Sequence, residues 1–434
     1  MRIPIIPAIV GLSVIATSCS NGDQMVRQFI SHNMPASTYY YQKDTLGHLS
    51  LPKPFSVPTI GGMFQDLYYW DTYYTNLALL SMGNVEQARN NVDDILYLIE
   101  RFGYMPNSSN LNSNNRSQPP YASMMVRDVY EQTEDKEWLM AAYNTLLKEY
   151  RFWMTYRMTE SGLNRHFNMG SEEYLTNFYT YLQTRIPSLR DDVSPLERIR
   201  IASQFLSEAE SGWDFTPRFN TKCEEFNPID LNANLYIYEK NFAWMSYQLE
   251  IEGGKQWERT ASRRLALINE YCYDNDSGLY YDYNYVTHTR STVYSAAVFN
   301  LLWAGIPDAD QARNIVDNLP RLEAEYGIVA CEEGIRSDVY QWDSPNAWPS
   351  CNVLAIAGLD KYGYRKDAAR IARKYVDSSI RIFRETGNLW EKYNAVKGNL
   401  EVNEEYKMSP FMGWTAGAYL YASDYLINLK QYRI

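Results

Sequence analysis

The chain is poor in the residues that hold metals and form bridges. Of 434 residues only 4 are His and 5 are Cys. His32, His48, His166 and His288 offer no close pair at metal-ligand spacing, so neither a metal nor another cofactor is expected. There is no basic block: 41 Lys and Arg stand against 52 Asp and Glu, a net charge of −11, which argues against a nucleic-acid partner. Past the first residues no apolar stretch is long enough to cross a bilayer. No Gly/Ser- or Pro-rich linker follows residue 60, which predicts one domain, and no fixed-period repeat points to a regular solenoid. What the chain has in excess is aromatic rings with a polar handle: 38 Tyr and 11 Trp, beside 15 Phe.

The N-terminus reads as a targeting segment. Arg2 is the one charge before Asp23, and Ile3 to Ala16 is an uncharged, mostly apolar run too short to span a membrane. Ala16-Thr17-Ser18 then precedes Cys19, the pattern of a bacterial lipoprotein signal in which Cys19 carries the lipid. The reading is a signal over residues 1–19, an irregular lead-in over 20–55 and a single domain over 56–434. The protein is expected outside the cytoplasm, in the periplasm or on the outer membrane, touching membrane only through Cys19, and monomeric. Cys223, Cys272, Cys331 and Cys351 are widely spaced and read as mostly buried thiols, any single bridge being undecided.

Helical spacing dominates the body. Val85, Ala88, Val92, Ile95, Leu96, Ile99 and Phe102 share one face, with Asn84 as cap and Gly103 as stop. Leu139, Ala142, Leu146, Tyr150 and Trp153 repeat the pattern. Similar stretches fall near 121–133, 194–209, 230–251, 256–272, 292–304, 309–319, 348–361, 365–386 and 413–429. About a dozen helices with almost no strands predict an all-α fold of helical hairpins in a toroid. Leu279 to Thr287 alternates and predicts a short hairpin. Asp274-Asn-Asp276 resembles the start of a calcium loop, but Tyr285 stands where the last acidic ligand belongs, so a turn is expected.

Five segments concentrate Trp, carboxylate, Asn, Gln and Arg without helical periodicity: Gly61–Tyr73, Pro106–Pro120, Glu210–Phe219, Gln341–Trp348 and Glu404–Thr415. Aromatic faces stack on sugar C–H surfaces, while amides, guanidinium groups and carboxylates bond to hydroxyls. Five such loops predict a carbohydrate site at one mouth of the toroid. Glycoside cleavage needs two carboxyls, one to protonate the leaving oxygen and one to activate water or attack. Asp214 beside Trp213 suits the acid, because an apolar neighbour desolvates a carboxyl.

These segments resemble the trehalase family of glycoside hydrolases, inverting enzymes on an (α/α)6 barrel. Ile60–Tyr73 resembles the family's first signature and Gln341–Pro349 its second. Asn107 with Arg116-Ser-Gln-Pro-Pro120, Glu210–Phe215, Asp230-Leu-Asn232 and Glu391-Lys-Tyr393 also match, in order, from about residue 55 to 425. The resemblance implies Asp214 as general acid and Glu405 as general base, with Glu404 as the adjacent rival. It implies Phe64, Tyr68, Trp70, Asp71, Asn107, Arg116, Gln118, Glu172 and Trp342 around the sugar, and Trp213 beside the acid. It departs at Met63 and Gly170, where the family carries arginines, at Asp66, where it carries Glu, and in a reduced Gly-rich lid, Lys397 to Asn403. Lost charged donors matter, since a hydrogen bond to a charged group contributes roughly 1.5–3 kcal/mol.

The expected activity is inverting hydrolysis of α,α-trehalose or a related small α-glucoside, with the carboxyls roughly 6.5–9.5 Å apart. Two alternatives stay open: a hydrolase of another α-linked disaccharide or oligosaccharide, and a non-catalytic glycan-binding surface lipoprotein. Taken singly, Trp70-Asp71 also suits a helix cap, and Glu401, Glu404 and Glu405 a solvated acidic cluster.

Overall fold

The computed structural model describes residues 21–186, 188–334 and 340–431; the targeting segment and Cys19 lie outside the described residues. Among the described residues there are fourteen α-helices: α1 (Asn21–Asn33), α2 (Tyr69–Ser81), α3 (Val85–Phe102), α4 (Ala122–Thr133), α5 (Lys136–Tyr156), α6 (Glu172–Arg185), α7 (Pro195–Glu210), α8 (Ile229–Gln248), α9 (Gly254–Tyr271), α10 (Val298–Ala304), α11 (Ala309–Asp317), α12 (Pro349–Lys361), α13 (Arg365–Thr386) and α14 (Gly413–Gln431). None of them is long and apolar enough to cross a membrane.

Contacts between neighbours run α2, α4, α8, α10, α12, α14 and back to α2, which closes an inner ring of six. Helices α3, α5, α9 and α13 pack on it from outside, and α1 covers the α13–α14 seam. This is an (α/α)6 barrel. Inner helices α2 and α12 have no polar stripe: all but the last residue of α2 are buried, and α12 is buried from Pro349 to Leu359. The outer ones are strongly two-faced, as α3 is through Ala88, Val92, Ile95 and Ile99. Asn84 accepts from the Gln87 amide to start α3, and Gly103, at φ 81°, ends it. The tightest seam is α2 on α14, where a Cβ on Gly417 would sit 1.9 Å from the Tyr74 carbonyl oxygen. Only glycine lets these two backbones approach so closely.

Three helices lie where the sequence reading has none. Helix α1 occupies part of the expected irregular lead-in; Val26 and Ile30 are buried in the main core, and Arg27 bonds Asp424 at 2.7 Å. Its partners are some 400 residues away, so its own short pattern is a weak signal. Helix α2 begins inside the segment read as a loop, because an inner helix buried all round shows no 3.6-residue alternation. Helix α6 pairs with α7 in a hairpin outside the twelve-helix barrel, with its own core of Leu175, Tyr179, Leu182, Phe205, Leu206 and Phe215. The expected hairpin over 279–287 is instead two tight pairs: Tyr273–Asp274 with Leu279–Tyr280, and Tyr283–Asn284 with Thr289–Arg290, the latter extended by Phe226–Asn227. Asp274 starts a turn, accepting from the Ser277 amide. All four described cysteines are buried thiols.

Two buried charge clusters hold the loops at the mouth. The Glu210 carboxylate, at the end of α7, takes Arg157 Nε at 2.8 Å and Nη2 at 2.7 Å. It also accepts the backbone amides of Ser117 (2.9 Å) and Phe167 (3.1 Å). Burial alone would raise its pKa; Arg157 outweighs burial and holds it down at about 2. Arg218 forks onto Asp230 (2.8 and 2.9 Å) and Asp282 (2.8 and 3.0 Å), with its guanidinium 4.4 Å from the Trp213 ring centre.

Glu210→Gln leaves Arg157 buried without its countercharge, so urea unfolding at pH 7 is expected to show a loss of about 3–5 kcal/mol. The sign with pH follows from the depressed folded-state value. The contribution is complete above the unfolded carboxyl pKa, roughly 4.3, and fades as pH falls towards the folded one. The gap between wild type and variant should therefore narrow at acid pH; a constant gap would deny the charge its role.

Candidate active site

The segments leading into the inner helices meet at one end of the barrel around a cavity of about 250 Å³. Phe64 and Tyr68 come from the approach to α2, and Trp70 and Asp71 from its first turn. Asn107, Arg116 and Gln118 come from the α3–α4 loop, Gly212 and Asp214 from the turn after α7, and Gln341, Trp342 and Trp348 from the approach to α12. Glu391, Glu405, Tyr406 and Trp414 complete it from the segment entering α14, and Tyr181 reaches in from α6.

Indoles form the floor. Trp342 lies flat on Trp348, centroids 3.8 Å apart and planes within 1°. Trp70 packs on Trp342 at 5.5 Å and edge-on against Trp414 at 5.7 Å. The rim is held by backbone bonding: Tyr69 N donates to the Asn107 carbonyl (3.2 Å), Asn107 N to the Arg116 carbonyl (2.9 Å), and Trp70 N to Gln118 Oε1 (3.2 Å). Phe64 and Phe215 sit at φ 62° and 59°, a left-handed conformation that costs of order 1–3 kcal/mol. Phe215 directly follows Asp214, so the strain lies in the turn that presents this carboxyl.

Four carboxyls share the cavity, in unequal surroundings. Asp214 is pushed up to about 7, first by burial and then by the negative charge of Glu405, while Arg116 pulls the other way. Asp71 also stands at about 7, through burial and then Glu391 and Asp214. Glu391 is ion-paired with Lys392 at 2.7 Å and accepts the Tyr406 hydroxyl at 2.6 Å. Glu405 is raised by burial, but hydrogen bonding and the Arg185 and Lys392 charges oppose the rise. Its Oε1 accepts the Tyr181 hydroxyl at 2.8 Å and its Oε2 accepts Gln341 Nε2 at 3.1 Å. The arrangement therefore offers a carboxyl that holds its proton well above the ordinary carboxylate range and a hydrogen-bonded carboxyl beside it, the two parts an acid–base pair requires. The Arg116 Nε is a buried donor with no protein partner among the described residues, a free point for a polar ligand.

Of the residues expected from sequence, Phe64, Tyr68, Trp70, Asp71, Asn107, Arg116, Gln118, Asp214, Trp342 and Glu405 line this one cavity. Trp213 does not; it stacks behind Trp342 at 4.8 Å and lines a separate, water-sized cavity. Glu172 is exposed at the start of α6, outside the cavity lining, because the hairpin turns that end of the helix to solvent. The rival Glu404 is exposed as well, and its carbonyl accepts from Arg185. Asp66 bonds His48 at 2.7 Å and Asn110 at 3.1 Å, fastening loops behind the rim. Met63, 45% exposed, lines the cavity, whereas Gly170 does not. Sequence reasoning passed over Gln341, Trp348 and Glu391 as ligand groups although their motifs were recognised. It missed Tyr181 altogether, since nothing around it resembles a motif.

The family model described as Trehalase matches residues 26–426. A probable trehalase of Saccharomyces cerevisiae is 31% identical over 86% of this chain and 55% of its own length. The periplasmic trehalase of Xanthomonas oryzae pv. oryzae is 30% identical over 86% of this chain and 68% of its own. The chain thus spans a little over half of the yeast relative. Among solved structures, the neutral trehalase of Saccharomyces cerevisiae superposes with a TM-score of 0.73 at 26% identity, covering 89% of this chain and 76% of that one. A mannosylglycerate hydrolase of Thermus thermophilus shares the fold at 15% identity, TM-score 0.63, covering 92% and 100%. On this match, extending through every segment that builds the cavity, the chain belongs to the trehalase family.

Proposed function

We propose that the protein is an inverting glycoside hydrolase that cleaves α,α-trehalose or a closely related small α-glucoside to glucose. The observation that carries this reading is the pair Asp214 and Glu405, electrostatically coupled within an indole-floored cavity. Its volume of about 250 Å³ is below the roughly 300–1,000 Å³ of drug-sized sites, which suits one or two sugar rings. Asp214 gives its proton to the glycosidic oxygen as the C–O bond breaks. Glu405 takes a proton from the water that attacks the anomeric carbon on the opposite face. The indole floor and the Phe64 and Tyr68 rings supply apolar surface; Asn107, Arg116, Gln118 and Asp71 supply hydroxyl partners.

A second reading, a hydrolase of another α-linked disaccharide, draws on Met63 and Gly170, which stand where the family resemblance implies arginines. Incubation with trehalose, maltose, kojibiose and nigerose, followed by NMR of the first anomer released, separates the two. Trehalose turnover with initial release of one α- and one β-glucose supports inversion on trehalose; cleavage confined to another disaccharide supports the second reading; no cleavage at all removes both. Extracytoplasmic placement is supported by the leader-like residues 1–19 and by the Xanthomonas relatives called periplasmic trehalases. Fractionation of cells should find the mature protein outside the cytoplasm.

Asp214→Asn and Glu405→Gln are each expected to lower kcat by about 10²–10⁴. Asp71→Asn should act mainly on KM; if it abolishes turnover while Asp214→Asn does not, Asp71 is the acid. Activity should fall on the alkaline side as Asp214, at about 7, loses its proton. It should fall on the acid side as Glu405 gains one, above the ordinary carboxylate range because burial raises it. The two limbs belong to the coupled pair, and removing Asp214 should abolish the alkaline one.

A further inference from the structure

The barrel by itself does not complete the site. Glu405 lies on the stretch 400–411, which forms neither helix nor strand; side chains ahead of α12 hold its backbone, Gln341 Oε1 accepting the Glu405 amide at 3.4 Å and Asn346 bonding Asn403. From the barrel the Glu405 carboxyl is held on one oxygen, by Gln341 Nε2, whose own carbonyl oxygen accepts Lys392 Nζ at 3.3 Å. The other oxygen is held from outside the barrel, by the Tyr181 hydroxyl of α6. Tyr181 is itself braced. Tyr174, Phe178 and Tyr181 form a file of near-parallel rings along one face of α6, with centroids 6.2 and 5.9 Å apart. The helix beneath them stands on the separate α6–α7 core, and one turn further on Arg185 bonds the Glu404 carbonyl at 3.4 Å. Tyr181 is 43% exposed, so its polar end is spent on Glu405 at the rim of the cavity, where water or sugar hydroxyls would otherwise compete.

We propose that Tyr181 is a positioning residue for the base: its hydroxyl clamps Glu405 Oε1 so that the remaining lone pairs stay aimed at the attacking water, and the α6–α7 hairpin exists to deliver it. This rests on the reading of Glu405 as base. The phenol keeps its proton and takes no part in bond making. It acts on the orientation and proton affinity of the carboxylate, which also faces Asp214 from the turn after α7, Glu391 and Lys392 ahead of α14, Arg185 on α6, and Glu404 and Tyr406 on its own loop. A hydrogen bond donated to a carboxylate favours its charged form, so losing the hydroxyl should raise the acid limb of the pH–rate profile as well as slow turnover.

Tyr181→Phe retains the ring file and should melt like the wild type. With trehalose, kcat is expected to fall about tenfold, less than the roughly 10²–10⁴ for loss of the base itself, with KM within about twofold and the acid limb moved up by as much as about one unit. Tyr181→Gln, which restores a donor without the ring, should recover part of the acid-limb position. If Tyr181→Phe leaves kcat and the acid limb unchanged while Glu405→Gln is inactive, Tyr181 only packs the hairpin and the proposal falls alone. If Glu405→Gln remains active, the base assignment falls and the proposal with it.

Discussion

One buried carboxylate governs how this barrel presents its chemistry. Glu210 takes both arms of Arg157 and the backbone amides of Ser117 and Phe167. It thereby joins the end of α7, the loop that carries Arg116 and Gln118, and the segment after α5. A buried anion tolerates a vacancy among these donors poorly; His166 Nδ1 stands beside it as well, at 3.4 Å. The three segments are consequently fixed relative to one another before any ligand arrives. Asp214 follows Glu210 by four residues, so the carboxyl at the cavity floor inherits this registration.

The same physics, used with opposite sign, separates the buried carboxyls at this mouth. Glu210 is dominated by a paired cation and stays ionised far below neutrality. Asp214 is equally buried, but its strongest electrostatic neighbour is another acid, so it gives up its proton only at about 7. Glu405 is raised by burial, against which hydrogen bonds from two different parts of the fold hold its two oxygens. Three acids of ordinary chemistry thus acquire different states from burial and neighbours alone.

Much of this was readable in advance, for identifiable reasons. The outer helices announce themselves because water on one face and core on the other impose a 3.6-residue pattern, as in α3. The motif loops are legible because they concentrate an unusual mixture of Trp, amide and carboxylate in short stretches without helical periodicity. Helix α2 was hidden because burial on every side erases periodicity, and α1 because its partners lie at the other end of the chain. Glu172 was placed with the sugar pocket by its position in a family motif, whereas the hairpin carrying it turns that residue to solvent. Tyr181 had no local signal, since its meaning comes from Glu405, 224 residues away.

The sequence by itself determined the helical architecture, the absence of a metal-ligand pattern and the identity of the acid candidates, because these depend on residue type and short-range spacing. Only the tertiary structure decided which carboxyls titrate near neutrality and which stays ionised far below it, which indoles face the cavity and which merely back it, and that a hairpin outside the barrel reaches Glu405. Those properties arise from burial, from charges brought together across hundreds of residues and from the direction in which a helix lies, none of which is encoded in any single stretch of the chain.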